Sequence, residues 1–160
     1  MEVKKAVTKV LIDKNQVKLA LLDVPDSPGI AAKLFTEIAN GGFLVDMIVQ
    51  SAHEGQSNDI AFTVKREDVE QIKKIVQELA PEIHSRALIV DYSIAKVSIV
   101  GLGMVGKVGI ASKMFTVLGN AGINIHMINT SEIKISCIVD LAKSEEAARL
   151  IGNYFVLEER

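Results

Sequence analysis

Tryptophan is absent from this 160-residue chain, aromatic residues make up only 4% of it, and there is one cysteine and three prolines. A single cysteine excludes an internal disulfide. Cys137 lies in the alternating run Ile133 to Val139, where a small buried hydrophobe is expected rather than a reactive thiol. No apolar run approaches the roughly twenty residues that span a bilayer, and no signal sequence is evident, so no membrane partner and a cytoplasmic location are expected. Neither sign of charge dominates: 18 basic against 20 acidic residues leave a net charge of −2. That balance argues against the concentrated positive charge that nucleic-acid binding requires. Also missing are a GxxxxGK[ST] loop and any Gly-rich, Lys and Asp constellation for phosphoryl transfer. The three histidines, His53, His84 and His126, share no evident face, which leaves no metal-ligand set. The charges of Lys65-Arg66-Glu67-Asp68 and Lys73-Lys74 read as a solvated helical face.

What the chain does have is apolar residues, 49% of the total. At this length roughly two-thirds of the unfolded surface can be buried, enough for one domain or two small ones. It also has a repeat. An offset of 80 places Pro28-Gly-Ile-Ala-Ala-Lys-Leu-Phe-Thr-Glu-Ile-Ala-Asn-Gly-Gly on Val108-Gly-Ile-Ala-Ser-Lys-Met-Phe-Thr-Val-Leu-Gly-Asn-Ala-Gly, with 11 of 24 positions from 28 to 51 identical to their partners. Two copies of one supersecondary unit follow from that self-similarity.

Periodicity gives the unit its elements. In the first copy Val17 to Leu22 is a strand, and Asp26-Ser27-Pro28-Gly29 is a turn whose serine can cap a helix with proline at its first position. Ile30, Leu34, Phe35 and Ile38 recur at helical spacing up to Asn40-Gly41-Gly42. Phe43 to Ser51 and Ile60 to Val64, joined by the polar stretch Ala52 to Asp59, read as an antiparallel hairpin. Val69, Ile72, Ile75, Val76 and Leu79 line a second helix that stops at Pro81, and Ala87 to Asp91 is a last strand. The second copy repeats this with strand Ala95 to Val100, helix Val108 to Asn120, hairpin strands Ile123 to Asn129 and Lys134 to Val139, and helix Ser144 to Asn153. Its closing strand is missing, since Phe155 to Arg160 is short and acidic. Val7 to Ile12 is a spare strand ahead of the first copy, so it is predicted to complete the second sheet. The fold class is therefore α+β: two ferredoxin-like βαββαβ units with antiparallel sheets, the first (14–92) inserted into the second (93–160 plus the strand 6–12).

Gly101-Leu-Gly103-Met-Val-Gly106 spells a dinucleotide-binding GxGxxG. That fingerprint needs a parallel βαβ unit with an acidic residue ending its second strand. Here the second strand ends Met127-Ile-Asn-Thr and turns into an antiparallel partner, so a flexible turn is the preferred reading and no cofactor is expected. The first copy's turn, Asp26-Ser27-Pro28-Gly29-Ile30-Ala31, carries more chemistry. A helix amino terminus offers unpaired amides and about half a positive charge, which suits a carboxylate. Asp26 supplies a negative charge for an ammonium group and Gln50 a neutral amide, a combination that describes an α-amino acid. The same residues read equally well as plain helix caps.

At Asp26-Ser-Pro-Gly-Ile-Ala, Val45-Asp-Met-Ile-Val-Gln50 and Met127-Ile-Asn-Thr-Ser-Glu-Ile-Lys-Ile-Ser136 the sequence resembles the tandem ACT domains that regulate aspartate kinases, ATP-dependent phosphotransferases; the amino-terminal kinase domain of that family is absent here. The resemblance implies a separate regulatory β subunit or a regulatory fragment, not an enzyme by itself. It further implies an effector site at Asp26, Ser27, Gly29, Ile30, Ala31 and Gln50, closed by Asn124 and Ile125 of a facing module, with threonine, lysine or both together as the effector. Implied partners are a second copy, as a homodimer, and the catalytic α subunit. Two departures stand out: where the family's second loop has Gly-Met-Arg-Ser, a variable residue and Pro-Gly, this chain has Val105 and Val108, and Phe43-Leu44 stands where isoleucine-asparagine is usual. One strong site per interface is therefore expected. Asp46 or Glu54 is the candidate partner for a lysine side chain. A free-standing regulator of another enzyme or of a transcription factor is the alternative reading.

Overall fold

The computed structural model describes residues 6–52, 55 and 57–155, and the chain divides into two compact units. One spans Asn15–Tyr92; the other joins the amino-terminal segment through Lys14 to the chain from Ser93 onward.

The inserted unit runs β2 (Val17–Pro25), α1 (Ile30–Asn40), β3 (Ile48–Ala52), β4 (Ser57–Val64), α2 (Val69–Ile83) and β5 (Ala87–Asp91). Its strands form one antiparallel sheet in the order β3-β4-β2-β5. The pleat sends Val17, Leu19 and Leu21 of β2 and Ile60, Phe62 and Val64 of β4 to one face, where they meet Leu34 and Ile38 of α1 and Ile72, Val76 and Ile83 of α2. Phe35 meets Phe62 edge to face, ring centroids 5.4 Å apart.

The discontinuous unit has β1 (Lys9–Asp13), β6 (Ile94–Val100), α3 (Ile110–Asn120), β7 (Met127–Thr130), β8 (Lys134–Asp140) and α4 (Ser144–Phe155), in the sheet order β1-β6-β8-β7. The amino-terminal strand takes the place that β5 holds in the other sheet. It pairs antiparallel with β6 from Lys9↔Val100 to Asp13↔Lys96. The first copy is thus inserted within the second, as the missing closing strand required. Within this core Val97, Ile99, Cys137, Val139, Met114, Leu118 and Ile151 are fully buried. Among the described residues no helix is long and apolar enough to cross a membrane.

Several boundaries differ from the sequence expectation, each for a local reason. The strand expected at Val7 to Ile12 pairs as Lys9–Asp13, because Ala6 and Val7 pack into the core beside it. Both first helices start two residues late, at Ile30 and Ile110, because Gly29 (φ 93°) and Gly109 (φ 92°) turn the chain through the left-handed region. Ser27 and Pro28 therefore lie outside α1, and no side chain caps it. Residues 43–47 do not extend the hairpin strand. The amide of Phe43 donates to the Ile38 carbonyl and that of Gly42 to Ala39, a Schellman stop, and Gly122 and Ile123 repeat it on Gly119 and Leu118. Strand β3 accordingly begins at Ile48, and β7 at Met127. Helix α2 continues through Pro81 to Ile83, since Pro81 is exposed and Ile83 is buried in the core; His84 then ends it at φ 49° with its amide on the Ala80 carbonyl.

Two of the three GxGxxG glycines, Gly101 and Gly103, have a packing role, while Gly106 faces open space. A Cβ on Gly101 would stand 2.0 Å from the Ala6 carbonyl oxygen, and one on Gly103 2.9 Å from the Ala6 Cα. These glycines admit the amino-terminal segment beside β6.

Two predictions follow from this packing. Gly101→Ala is expected to destabilise the discontinuous unit by about 1–3 kcal/mol, the usual range for overpacking, measured by urea unfolding. Burial pushes the Cys137 thiol up to about 12 from an ordinary value of 9.0. Folding thus favours the neutral thiol: its contribution is fully present below pH 9.0 and is lost as the pH climbs from there toward about 12. Cys137 is expected to resist a thiol reagent at pH 8 until denaturant is added, which a colorimetric thiol titration reads directly.

Candidate functional site

The site is set by a fault in the pairing of β2 with β4. Leu21 pairs with Ile60, but the next pair is Val24 with Asn58, so β2 carries one extra residue at this bulge. Asp23 there adopts φ 51°, uncommon for a residue with a side chain. Three contacts hold it: the Asp23 amide donates to Asp59 Oδ1 at 2.9 Å, the Arg86 guanidinium Nε donates to Asp23 Oδ2, and the Arg86 amide donates to the Leu22 carbonyl at 2.8 Å. Past the bulge Val24 turns into the core, and the chain turns at Asp26 toward α1.

This turn lines a cavity of about 90 Å³. Asp26, Ser27, Gly29, Ile30 and Ala31 contribute from the loop and first turn of α1, Gln50 from β3, and Val24, Pro25, Asn58 and Ile60 complete the lining. The structure thus brings together six of the residues named from sequence. Asn124 and Ile125 belong to the other unit, between α3 and β7, where Ile125 packs against that unit's core. Asp46 is exposed and is not part of the lining, and Glu54 and His53 lie outside the described residues.

Asp26 is not a helix cap. Its Oδ1 accepts a hydrogen bond from Asn58 Nδ2 at 3.0 Å. The helix end therefore keeps its amides: Ile30 donates only at 3.5 Å to the Ser27 carbonyl, and Ala31 and Ala32 have no partner within the helix. Chemically the cavity joins a partly positive helix end, one carboxylate and neutral amides from Gln50 and Asn58. Sequence reading missed Asn58 because it stood in a polar stretch taken for a loop. Extending the inward alternation of Val64, Phe62 and Ile60 by one more step would have found it.

A second cavity, of about 280 Å³, occupies the matching place in the discontinuous unit, with Gly109, Ile110, Ala111 and Thr130 where the first has Gly29, Ile30, Ala31 and Gln50. The position matching Asp26 is Gly106, so that carboxylate is missing; Lys107 and Glu132 supply charges instead. Elsewhere, His126 Nε2 lies 2.7 Å from Asp140 Oδ1, an ordinary surface pair. Among the described residues no group of three or more acidic, histidine or cysteine side chains could hold a metal.

Two ACT domain family models match, over residues 19–83 and 97–155. The aspartate kinase of Pseudomonas fluorescens is 40% identical over 152 residues, covering 95% of this chain and 37% of the relative. An aspartokinase of Thermus thermophilus is 38% identical over 161 residues. The chain thus spans about two-fifths of the length of these relatives. Among solved structures, the regulatory subunit of aspartate kinase from Thermus thermophilus is 38% identical at a TM-score of 0.89, covering 94% of this chain and 99% of that one. A chain from a crystal structure of aspartokinase alpha and beta subunits is 41% identical at 0.89, covering 95% and 100%. With its two repeats, its inserted topology and a regulatory subunit matched end to end, the chain belongs to the tandem ACT regulatory family of the aspartokinases.

Proposed function

We propose that this chain senses a free amino acid on behalf of an aspartokinase, and that the sensing site is the cavity around Asp26. The observation that carries the reading is the pairing of a carboxylate, held by Asn58, with the open amino end of α1 across one small cavity. The helix end takes the ligand carboxylate and Asp26 takes its ammonium group. Threonine is the first choice of effector and lysine the second. Asp26 is the one charged residue of the lining among the described residues, and Gln50 and Asn58 are neutral, which suits a neutral hydroxyl better than a second ammonium.

Asn124 and Ile125 of a facing module would close the site in a homodimer, so that effector binding favours one arrangement of modules. The implied partner is the kinase catalytic subunit, and the implied output is feedback inhibition of an ATP-dependent phosphotransferase. A coupling of about 1–3 kcal/mol is enough for such control. The relative solved with alpha and beta subunits supports the partnership. In the first repeat the carboxylate is present and in the second Gly106 replaces it, which supports one strong site rather than two.

Titration calorimetry of the chain with threonine and then lysine, with sedimentation in parallel, tests the reading: saturable binding that tightens a dimer is expected. Absence of heat with both amino acids would refute it. Asp26→Ala is expected to weaken binding by about tenfold or more, the scale of a lost hydrogen bond to a charged group, while circular dichroism shows the fold retained.

A further inference from the structure

Asp26 is exposed and would sample several rotamers if nothing held it. Asn58 is only 6% exposed, and its amide donates to Asp26 Oδ1 at 3.0 Å. A buried amide is costly to leave unpaired, and a bond to an ionised acceptor is the stronger kind, so this pair is a firm one. We propose that Asn58 is the positioning residue of the ammonium subsite: by holding one carboxylate oxygen it presets Asp26, and thereby makes the cavity select α-amino acids over otherwise identical acids that lack the amino group. This rests on the reading that Asp26 receives the ligand's ammonium group.

The placement of Asn58 is itself built. It sits opposite Val24, the first pair past the bulge, and a slip of one residue would turn the β2 residues beyond it to the other face. The left-handed Asp23, bracketed by Asp59 and Arg86, keeps the extra residue in β2 and so keeps Asp26 within reach of Asn58. None of these three lines the cavity. In the second repeat Gly106 stands at the Asp26 position, so the same device has no carboxylate to hold.

The test compares two ligands, whichever of threonine and lysine the wild-type chain binds, and its 2-hydroxy analogue, in which a hydroxyl replaces the α-ammonium. Asn58→Leu is expected to weaken amino-acid binding by about tenfold, in line with the loss of one charge-assisted hydrogen bond, and to leave the affinity for the analogue within about twofold, narrowing the ratio between them. Should Asn58→Leu fail to fold, Asn58→Ala, which removes the donor without adding bulk or charge, is read in the same way. An unchanged ratio, or equal losses for both ligands, overturns the role of Asn58 while leaving the sensing site in place. A wild-type chain that binds neither amino acid overturns the sensing site, and the role of Asn58 with it.

Discussion

The discontinuous unit depends on a strand supplied from the other end of its sequence. Without β1, the edge of β6 would present unpaired amides and carbonyls, and Val97 and Ile99 would lose a neighbouring strand beside the core. Ladder hydrogen bonds from Lys9↔Val100 to Asp13↔Lys96 close that edge. The closure demands room, which accounts for Gly101 and Gly103 beside Ala6. A motif that spells nucleotide binding in another topology here answers a steric requirement of strand insertion.

In the inserted unit the controlling constraint is smaller, one extra residue in β2. It bends the strand, forces Asp23 into a left-handed conformation and swings Asp26 to the mouth of the cavity beside α1. The salt bridge of Arg86 to Asp23 is exposed on both sides, so its value lies in geometry more than in energy. The stronger holds are the Asp59 carboxylate on the Asp23 amide and the buried Asn58 on Asp26. A left-handed glycine then starts α1 with its amides open, so charge and shape converge on one small volume.

Duplication supplied two such volumes, and substitution made them unlike. Their backbones agree closely: both helices begin after a glycine near φ 92° and both end in the same Schellman stop. Their chemistry diverges at Asp26 against Gly106, Ser27 against Lys107 and Gln50 against Thr130, and Glu132 adds a charge to the second lining. The shared scaffold thus carries two cavities of unequal charge.

The repeat, the element order, the insertion and most of the lining, from Asp26 to Gln50, were legible in the amino-acid order alone. Apolar period and offset identity are local properties, and they survive without knowledge of contacts. Tertiary structure decided the rest. Pro81 stayed helical because Ile83 had a core to reach; the strands expected from Phe43 and Ile123 began late because helix stops took those amides; Asn58 became a site residue because a strand register turned it inward. Each of these outcomes sets a local preference against a partner distant in sequence, and only the folded chain contains both sides of that balance.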